Sequence, residues 1–198
     1  LQWHKPPVSM TAPFPDFLAS KRLTLRRLDR NDAGALCAYR SLPEVARYQS
    51  WDFFGPDDAT ALINSQSGQV PGVGGTWLQL AIVETPSNRM CGDCGIHCIQ
   101  RDSRQFELGI TLAPEAQRRG YATEAIGRLL VYIFLDLDGR SISATTDVLN
   151  VPAAALFQRL GFRQSDPSRV LFKGQWGSEF SFTLLKDDWE QHGADPIP

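Results

Sequence analysis

Gln117-Arg118-Arg119-Gly120-Tyr121-Ala122 is the stretch on which the fold turns. Before it, residues 107–112 read Glu-Leu-Gly-Ile-Thr-Leu, a short extended segment of strand character. After it, Ala122, Ala125, Ile126, Leu129, Leu130, Ile133 and Phe134 recur at helical spacing. The six residues are therefore a turn that carries a strand into a helix N-terminus. Small residues at 120 and 122 let a ligand approach the backbone, and the free amides that open a helix make a site for an anion such as a pyrophosphate. Arg118 and Arg119 add positive charge. A plain helix start with a solvated arginine pair would read the same way, so the turn alone does not decide the chemistry. No Gly-Lys-Ser/Thr follows, which excludes a P-loop. Gly72, Gly74 and Gly75 precede a strand rather than a helix and form no second phosphate site.

Upstream, residues 77–84, 91–100 and 105–112 read as three successive strands, with turns at Pro86-Ser87-Asn88 and Arg101-Asp102-Ser103. That is an antiparallel meander. A first strand is expected over 22–28, a helix capped by Asp29 or Asn31 through Arg40, and shorter helices opening at Pro43 and Pro56. Downstream, the long helix is expected to reach about Asp136, followed by a strand over 141–148 and a helix over 153–160 capped by Asn150 and stopped by Gly161. Strands over 162–172 and 178–185 then close around a loop at Gly174-Gln175-Trp176-Gly177. Strand, helix, strand implies one parallel crossover within an otherwise antiparallel α/β sheet. Residues 1–20 lack periodicity and read as a loose leader, with Met10 an alternative start; 21–190 read as one domain and 191–198 as a tail.

The chain has 198 residues, 42% of them hydrophobic and 21% charged, enough for one globular core. No apolar run approaches the roughly 20 residues that span a bilayer, and no secretory leader opens the chain, so a cytoplasmic protein is expected. Twenty Lys+Arg against 22 Asp+Glu, with no basic run, disfavours nucleic acid as a partner. Cys91, Cys94 and Cys98 cluster with His97 and invite a metal reading. On one extended strand, however, Cys94 and Cys98 sit about 13 Å apart at ~3.3 Å per residue, and His97 points the other way. One zinc ion cannot gather them, so no metal is expected and the thiols are read as reduced and buried.

The chain resembles the GNAT superfamily of acyl-CoA-dependent N-acetyltransferases. Its pyrophosphate motif, Gln/Arg-x-x-Gly-x-Gly/Ala, is matched by Gln117, Gly120 and Ala122. A second family pattern, Asn-x-x-Ala-x-x-Leu-Tyr-x-x-x-Gly-Phe, falls on Asn150, Ala153, Leu156, Phe157, Gly161 and Phe162, with phenylalanine in place of tyrosine. Arg22-Leu23-Thr24-Leu25-Arg26, Arg47-Tyr48 leading to Trp51, Gly120-Tyr121-Ala122-Thr123-Glu124-Ala125, and Leu184-Leu185 before Trp189 are similar to the branch that acetylates ribosomal-protein N-termini. The likeness runs from about residue 21 to 190.

The resemblance implies a mixed, mostly antiparallel sheet flanked by helices, splayed into a V between two central strands. Acetyl-CoA would lie there as co-substrate. Gln117, Arg118, Arg119, Gly120, Tyr121, Ala122 and Thr123 would hold its pyrophosphate, the backbone near Ile110 and Leu112 its pantetheine amides, and Asn150 its arm. For Asn150 a helix-cap role is equally good on physical grounds. Glu107 matches a glutamate that serves the family as general base. Phe157 and Ala153 stand where relatives carry Tyr or Ser to protonate the leaving thiolate, so that acid is missing. The partner is then a primary amine, on a protein N-terminus or a small molecule, with Trp51 and Trp176 expected to wall its groove. A second copy of the chain is left open as a further partner. A non-catalytic acyl-CoA sensor, a bare interaction module and a cysteine acyl-enzyme through Cys94 or Cys98 are the competing readings.

Overall fold

The computed structural model describes residues 14–100 and 104–191. Residues 1–13 of the expected leader, with Met10, the turn at Arg101-Asp102-Ser103 and residues 192–198 of the tail lie outside the described residues. A nine-stranded sheet organises the rest, in the order β1 (Phe17–Ala19), β2 (Leu23–Arg27), β3 (Trp77–Glu84), β4 (Arg89–Gln100), β5 (Gln105–Leu112), β6 (Ser141–Asp147), β9 (Gln175–Leu185) and β7 (Arg163–Gln164), with β8 (Ser168–Phe172) also on β9. β5 and β6 pair in parallel and the other pairs are antiparallel.

Strand alternation divides this sheet into two unlike faces. Leu23, Leu25, Leu80, Ile82, Cys94, Ile96, Leu108 and Ile142 are buried on one face, against α4 (Tyr121–Val131) and the wider turn Tyr132–Asp136 that continues it. The other face carries Gln79, Asp93, His97, Glu107 and Thr111, beneath α1 (Ala33–Arg40), α2 (Pro43–Ala46) and α3 (Pro56–Ser65). Asp93 is fully buried there. Tyr39 donates its hydroxyl to it, Arg40 donates Nη2 and, at 3.1 Å, Nε, and Gln79 donates its amide. Burial, and then the Asp93 charge, push the Tyr39 phenol well above its ordinary range.

Several boundaries differ from the sequence reading. Phe17–Ala19, assigned to the leader, is an edge strand whose Leu18 is buried. Three residues between prolines and a turn are too short to display alternation. The strand expected over 162–172 is two, because Pro167 has no N–H to give a ladder and separates β7 from β8. β9 begins at Gln175, so Trp176 is a strand residue opposite Leu171 and not a loop residue. The long helix reaches Asp136 as expected but widens after Val131 into a π turn, with Leu137 N–H reaching Tyr132 C=O at 3.0 Å, five residues back. A sixth helix, α6 (Lys186–Gln191), brings Trp189 to within 5.1 Å of Phe134.

The splay is visible in the register. β5 and β6 pair at Gln105↔Ser141, Phe106↔Ile142 and Glu107↔Ser143, and there the pairing stops. β5 continues along β4 as far as Leu112↔Gly92, and β6 along β9 as far as Asp147↔Glu179. Past Glu107 the β6-facing edge of β5 has no sheet partner among the described residues.

Candidate active site

A cavity of about 510 Å³ opens where β5 and β6 part. Its walls include Ile110, Thr111 and Leu112 of β5, residues 117–118 and 120–123 of the turn and α4, and Asn150, Pro152 and Ala153 at the start of α5 (Val151–Arg159). Glu44, Val45, Tyr48 and Gln49 close it from α2 and the segment after it. Walls from α2, over the polar face, and from α4, over the apolar face, mean that the cavity passes through the sheet at the splay. A long flexible ligand could thus enter beside α4 and present its end to the opposite face.

The turn is built to receive an anion. Arg118 has φ 58° and Gly120 φ 79°, with Arg119 between them outside the left-handed region. Alternating handedness curls successive amides toward one point, a nest, at the mouth of α4. The first N–H groups of α4 have no intrahelical acceptor. Gln117 folds back, its Nε2 donating to Leu112 C=O at 3.1 Å, and so closes the turn onto the end of β5. Arg159 of α5 lines the same mouth and donates Nη1 to Thr123 Oγ1 at 3.4 Å.

A buried carboxylate anchors the turn from behind. Glu124 accepts from Ser20 Oγ at 2.8 Å, from Arg22 N–H at 2.6 Å and from Arg22 Nε at 2.7 Å. Burial raises its carboxyl, but the Arg22 and Ser20 hydrogen bonds outweigh it and hold the group below the usual carboxylate range. Arg22 Nη1 reaches Arg119 C=O at 2.9 Å, tying β2 directly to the nest. Stability from this depressed carboxyl is present above the ordinary glutamate pKa and is lost as pH falls through the folded value. Glu124→Gln is therefore expected to cost about 1–3 kcal/mol near neutrality, with the deficit shrinking in acid, as read by urea unfolding across pH.

Of the residues expected at the site, Ile110, Leu112, Gln117, Arg118, Gly120, Tyr121, Ala122, Thr123 and Asn150 line this one cavity. Asn150 also caps α5, its Oδ1 accepting from Ala153 N–H at 3.4 Å, which leaves its amide donors uncommitted to the cap. Arg119 does not line the cavity: its guanidinium lies 3.8 Å from Glu84 and over the Tyr121 ring. Tyr121 donates its phenol to Glu84, a bond that raises the phenol.

The two tryptophans expected to wall the acceptor groove stand outside this cavity. Trp51 donates Nε1 to Arg40 C=O at 3.0 Å and lies under the Arg40 guanidinium at 4.3 Å, so it packs against the core. Trp176 is exposed on β9 beneath Arg169, away from the cavity lining. Glu44, Tyr48, Gln49 and Arg159 were missed, since only the tertiary fold brings α2 and the end of α5 to the turn.

Glu107 occupies the last paired rung of the V, half-buried on the polar face, with Oε2 3.4 Å from His97 Nδ1. It stands at the apex and does not line the cavity walls. Phe157 packs on Phe162 and Phe182 in the core and offers no proton, while Tyr48 is a phenol that does line the cavity. Burial pushes the Cys91 thiol up to about 11, and raises Cys94 and Cys98 as well, which disfavours thiolate nucleophiles. Among the described residues, no group of three or more His, Cys, Asp or Glu is placed to hold a metal ion, and no helix is long and apolar enough to cross a membrane.

Known proteins place this arrangement. The chain is 29% identical over 178 residues to the uncharacterized N-acetyltransferase p20 of Bacillus licheniformis, covering 87% of this chain and 97% of p20. It is 24% identical over 176 residues to YdaF of Bacillus subtilis, whose name provisionally makes it a ribosomal N-acetyltransferase, over 86% of this chain and 95% of YdaF. Spermidine N-acetyltransferase of Vibrio cholerae, solved with CoA and spermine, superposes with a TM-score of 0.74 at 21% identity, over 86% of this chain and 99% of that one. Residues 22–163 match the acetyltransferase (GNAT) domain, the family of acyl-CoA-dependent acetyltransferases to which this chain belongs.

Proposed function

We propose that the protein moves an acetyl group from acetyl-CoA to a primary amine by direct attack, without an acyl-enzyme. The observation that carries this reading is the unpaired edge of β5 past Glu107, opening into a cavity that ends at the alternating-handed turn of residues 118–120. In this reading the nest and the α4 N-terminus, with Arg118 and Arg159 beside them, bind the pyrophosphate. The free edge near Ile110 and Leu112 pairs with the pantetheine amides, and a main-chain N–H there polarises the thioester carbonyl as it becomes an oxyanion. Asn150 donates to the arm from the far wall. Four free cysteines, three of them buried, suit a reducing compartment such as the cytoplasm.

Glu107 is the general base of this reading, reached directly or through one water. The acceptor must be neutral to attack. An α-amine of pKa about 8 costs only about 1–1.5 kcal/mol to deprotonate at pH 7, whereas a lysine at about 10.4 costs about 4–5. One half-exposed carboxylate is matched to the first task, which favours a protein or peptide N-terminus over a lysine; polyamines, the substrates named for the Vibrio cholerae structure, are the rival class. Glu107→Gln is expected to lower kcat/KM for the amine at least tenfold at pH 7, with a smaller loss above pH 9 where the amine is already neutral. A loss that ignores pH would make Glu107 a positioning group, and no loss would remove it.

A further inference from the structure

Cross-strand register places Trp77 of β3, His97 of β4 and Glu107 of β5 side by side on the polar face, at the apex of the V. The indole and imidazole rings pack against each other with centroids 5.2 Å apart and planes inclined by 34°. His97 Nδ1 in turn faces Glu107 Oε2 at 3.4 Å. Both members of that pair keep partial access to water, 28% and 32% of their side chains being exposed.

Gly95 creates the seat for this row, with Gly109 beside it. A Cβ on Gly95 would fall 2.5 Å from Trp77 Nε1 and 2.8 Å from Gln79 Oε1, and one on Gly109 would touch the indole edge at 3.7 Å. The clash at Gly95 means that the indole holds this position only because β4 carries no side chain there, while the contact at Gly109 is an ordinary one. Its Nε1 donates to Gln79 Oε1 at 2.7 Å, and Gln79 donates in turn to Asp93, which Arg40 and Tyr39 hold. A continuous hydrogen-bonded chain thus runs from a buried ion pair to the ring on which His97 rests. Arg40 and Asp93, charged groups on the same face, are already joined to each other. A histidine that merely filled space would not need so fixed a platform.

We propose that His97 is the proton-relay partner of Glu107, held in place by Trp77. The proposal rests on Glu107 acting as base. The N–H bond of the acceptor ammonium breaks and its proton forms an O–H bond on Glu107. That proton then crosses to the Nδ1 lone pair of His97, regenerating the carboxylate; the imidazolium releases a proton from Nε2 to water, and after product leaves, exchange with water (a proton taken at Nε2, one lost from Nδ1) returns the ring to its starting tautomer. Glu107 is thereby reset without itself having to exchange a proton with bulk solvent while the acceptor covers it.

The test is a double-mutant cycle in kcat with acetyl-CoA, using spermine and a tetrapeptide with a free N-terminal serine as acceptor probes. Glu107→Gln and His97→Gln are each expected to lower kcat about tenfold or more, with the KM for acetyl-CoA unchanged and the double variant within about twofold of Glu107→Gln alone. Added imidazole is expected to restore turnover to His97→Ala and not to Glu107→Gln. His97→Gln, which keeps the volume and a polar tip, guards against a folding defect, and its thermal transition is recorded alongside. A loss in Glu107→Gln with His97→Gln within twofold of the unmodified protein overturns the relay and leaves the base. Losses that multiply in the double variant, or His97→Ala that imidazole fails to rescue, also overturn the relay. No loss in Glu107→Gln overturns the relay together with the reading of Glu107 as base, and so does no turnover of either probe or of any other amine in a wider panel by the unmodified protein.

Discussion

Ala122→Glu is expected to weaken acetyl-CoA binding by at least about a hundredfold, roughly 2.7 kcal/mol, while leaving the protein at least as stable as before. Ala122 is the second residue of α4 and lines the mouth of the cavity beside the nest. A carboxylate there puts bulk and negative charge where a pyrophosphate would sit. The same carboxylate suits the helix, because acidic side chains in a first turn gain about 0.3–1 kcal/mol from the amide dipoles. Affinity and stability should therefore move in opposite directions. Gly120→Glu would be a poorer probe: Gly120 has φ 79°, and a Cβ there meets Arg22 Nη2 at 3.2 Å, so any side chain strains the turn and disturbs its anchor. Calorimetry with acetyl-CoA, paired with a thermal melt, reads both quantities. Unchanged affinity for Ala122→Glu would move the pyrophosphate away from this turn.

Asp93→Ala is expected to cost about 3–5 kcal/mol, a large part of the stability of a domain this size. The carboxylate is fully buried and its removal strands the Arg40 guanidinium, itself 7% exposed, together with the Tyr39 hydroxyl and the Gln79 amide. Most of the loss is that of an uncompensated buried charge. Asp93→Asn keeps an acceptor oxygen but not the charge, and should fall between Ala and the native residue. Urea unfolding monitored by tryptophan fluorescence measures both. Trp51 lies under Arg40 and Trp77 is bonded to Gln79, so their emission reports on this very network. A cost below about 1 kcal/mol for Asp93→Ala would mean that the network relaxes and does not brace the apex.

Local signals carried the core of the fold. The helical spacing from Ala122 to Phe134, a glycine before it and a strand before that were enough to read a strand-turn-helix, because each depends on near neighbours. The nest was only half legible. Gly120 was legible as a small residue at the turn, but the left-handed φ of 58° at Arg118 was not, since arginine carries no such preference. Arg159 and Thr123 are 36 residues apart and meet only through packing of α5 on α4. The surroundings of Trp51 and Trp176 were not legible for a related reason: exposure is a tertiary property. The one was covered by Arg40, and the other belonged to a strand whose start the glycines around it obscured. His97 and Glu107 were both singled out from the sequence, yet for unrelated roles. Their meeting depends on the β4–β5 register, which includes an irregularity between Cys98 and Gln100 that alternation alone does not disclose.

Mixing the purified protein with acetyl-CoA, in the presence and absence of a panel of primary amines, and following CoA release tests amine-directed acetyl transfer most directly. The panel spans peptides with free N-terminal serine, alanine or threonine, spermine and spermidine, free amino acids and an aminoglycoside. Release that accelerates with at least one amine, with the acetyl group recovered on its nitrogen by mass spectrometry, is the expected result. Acetyl-CoA that binds in calorimetry but releases no CoA above the amine-free rate with any member of the panel would contradict it, and would make the protein an acyl-CoA sensor.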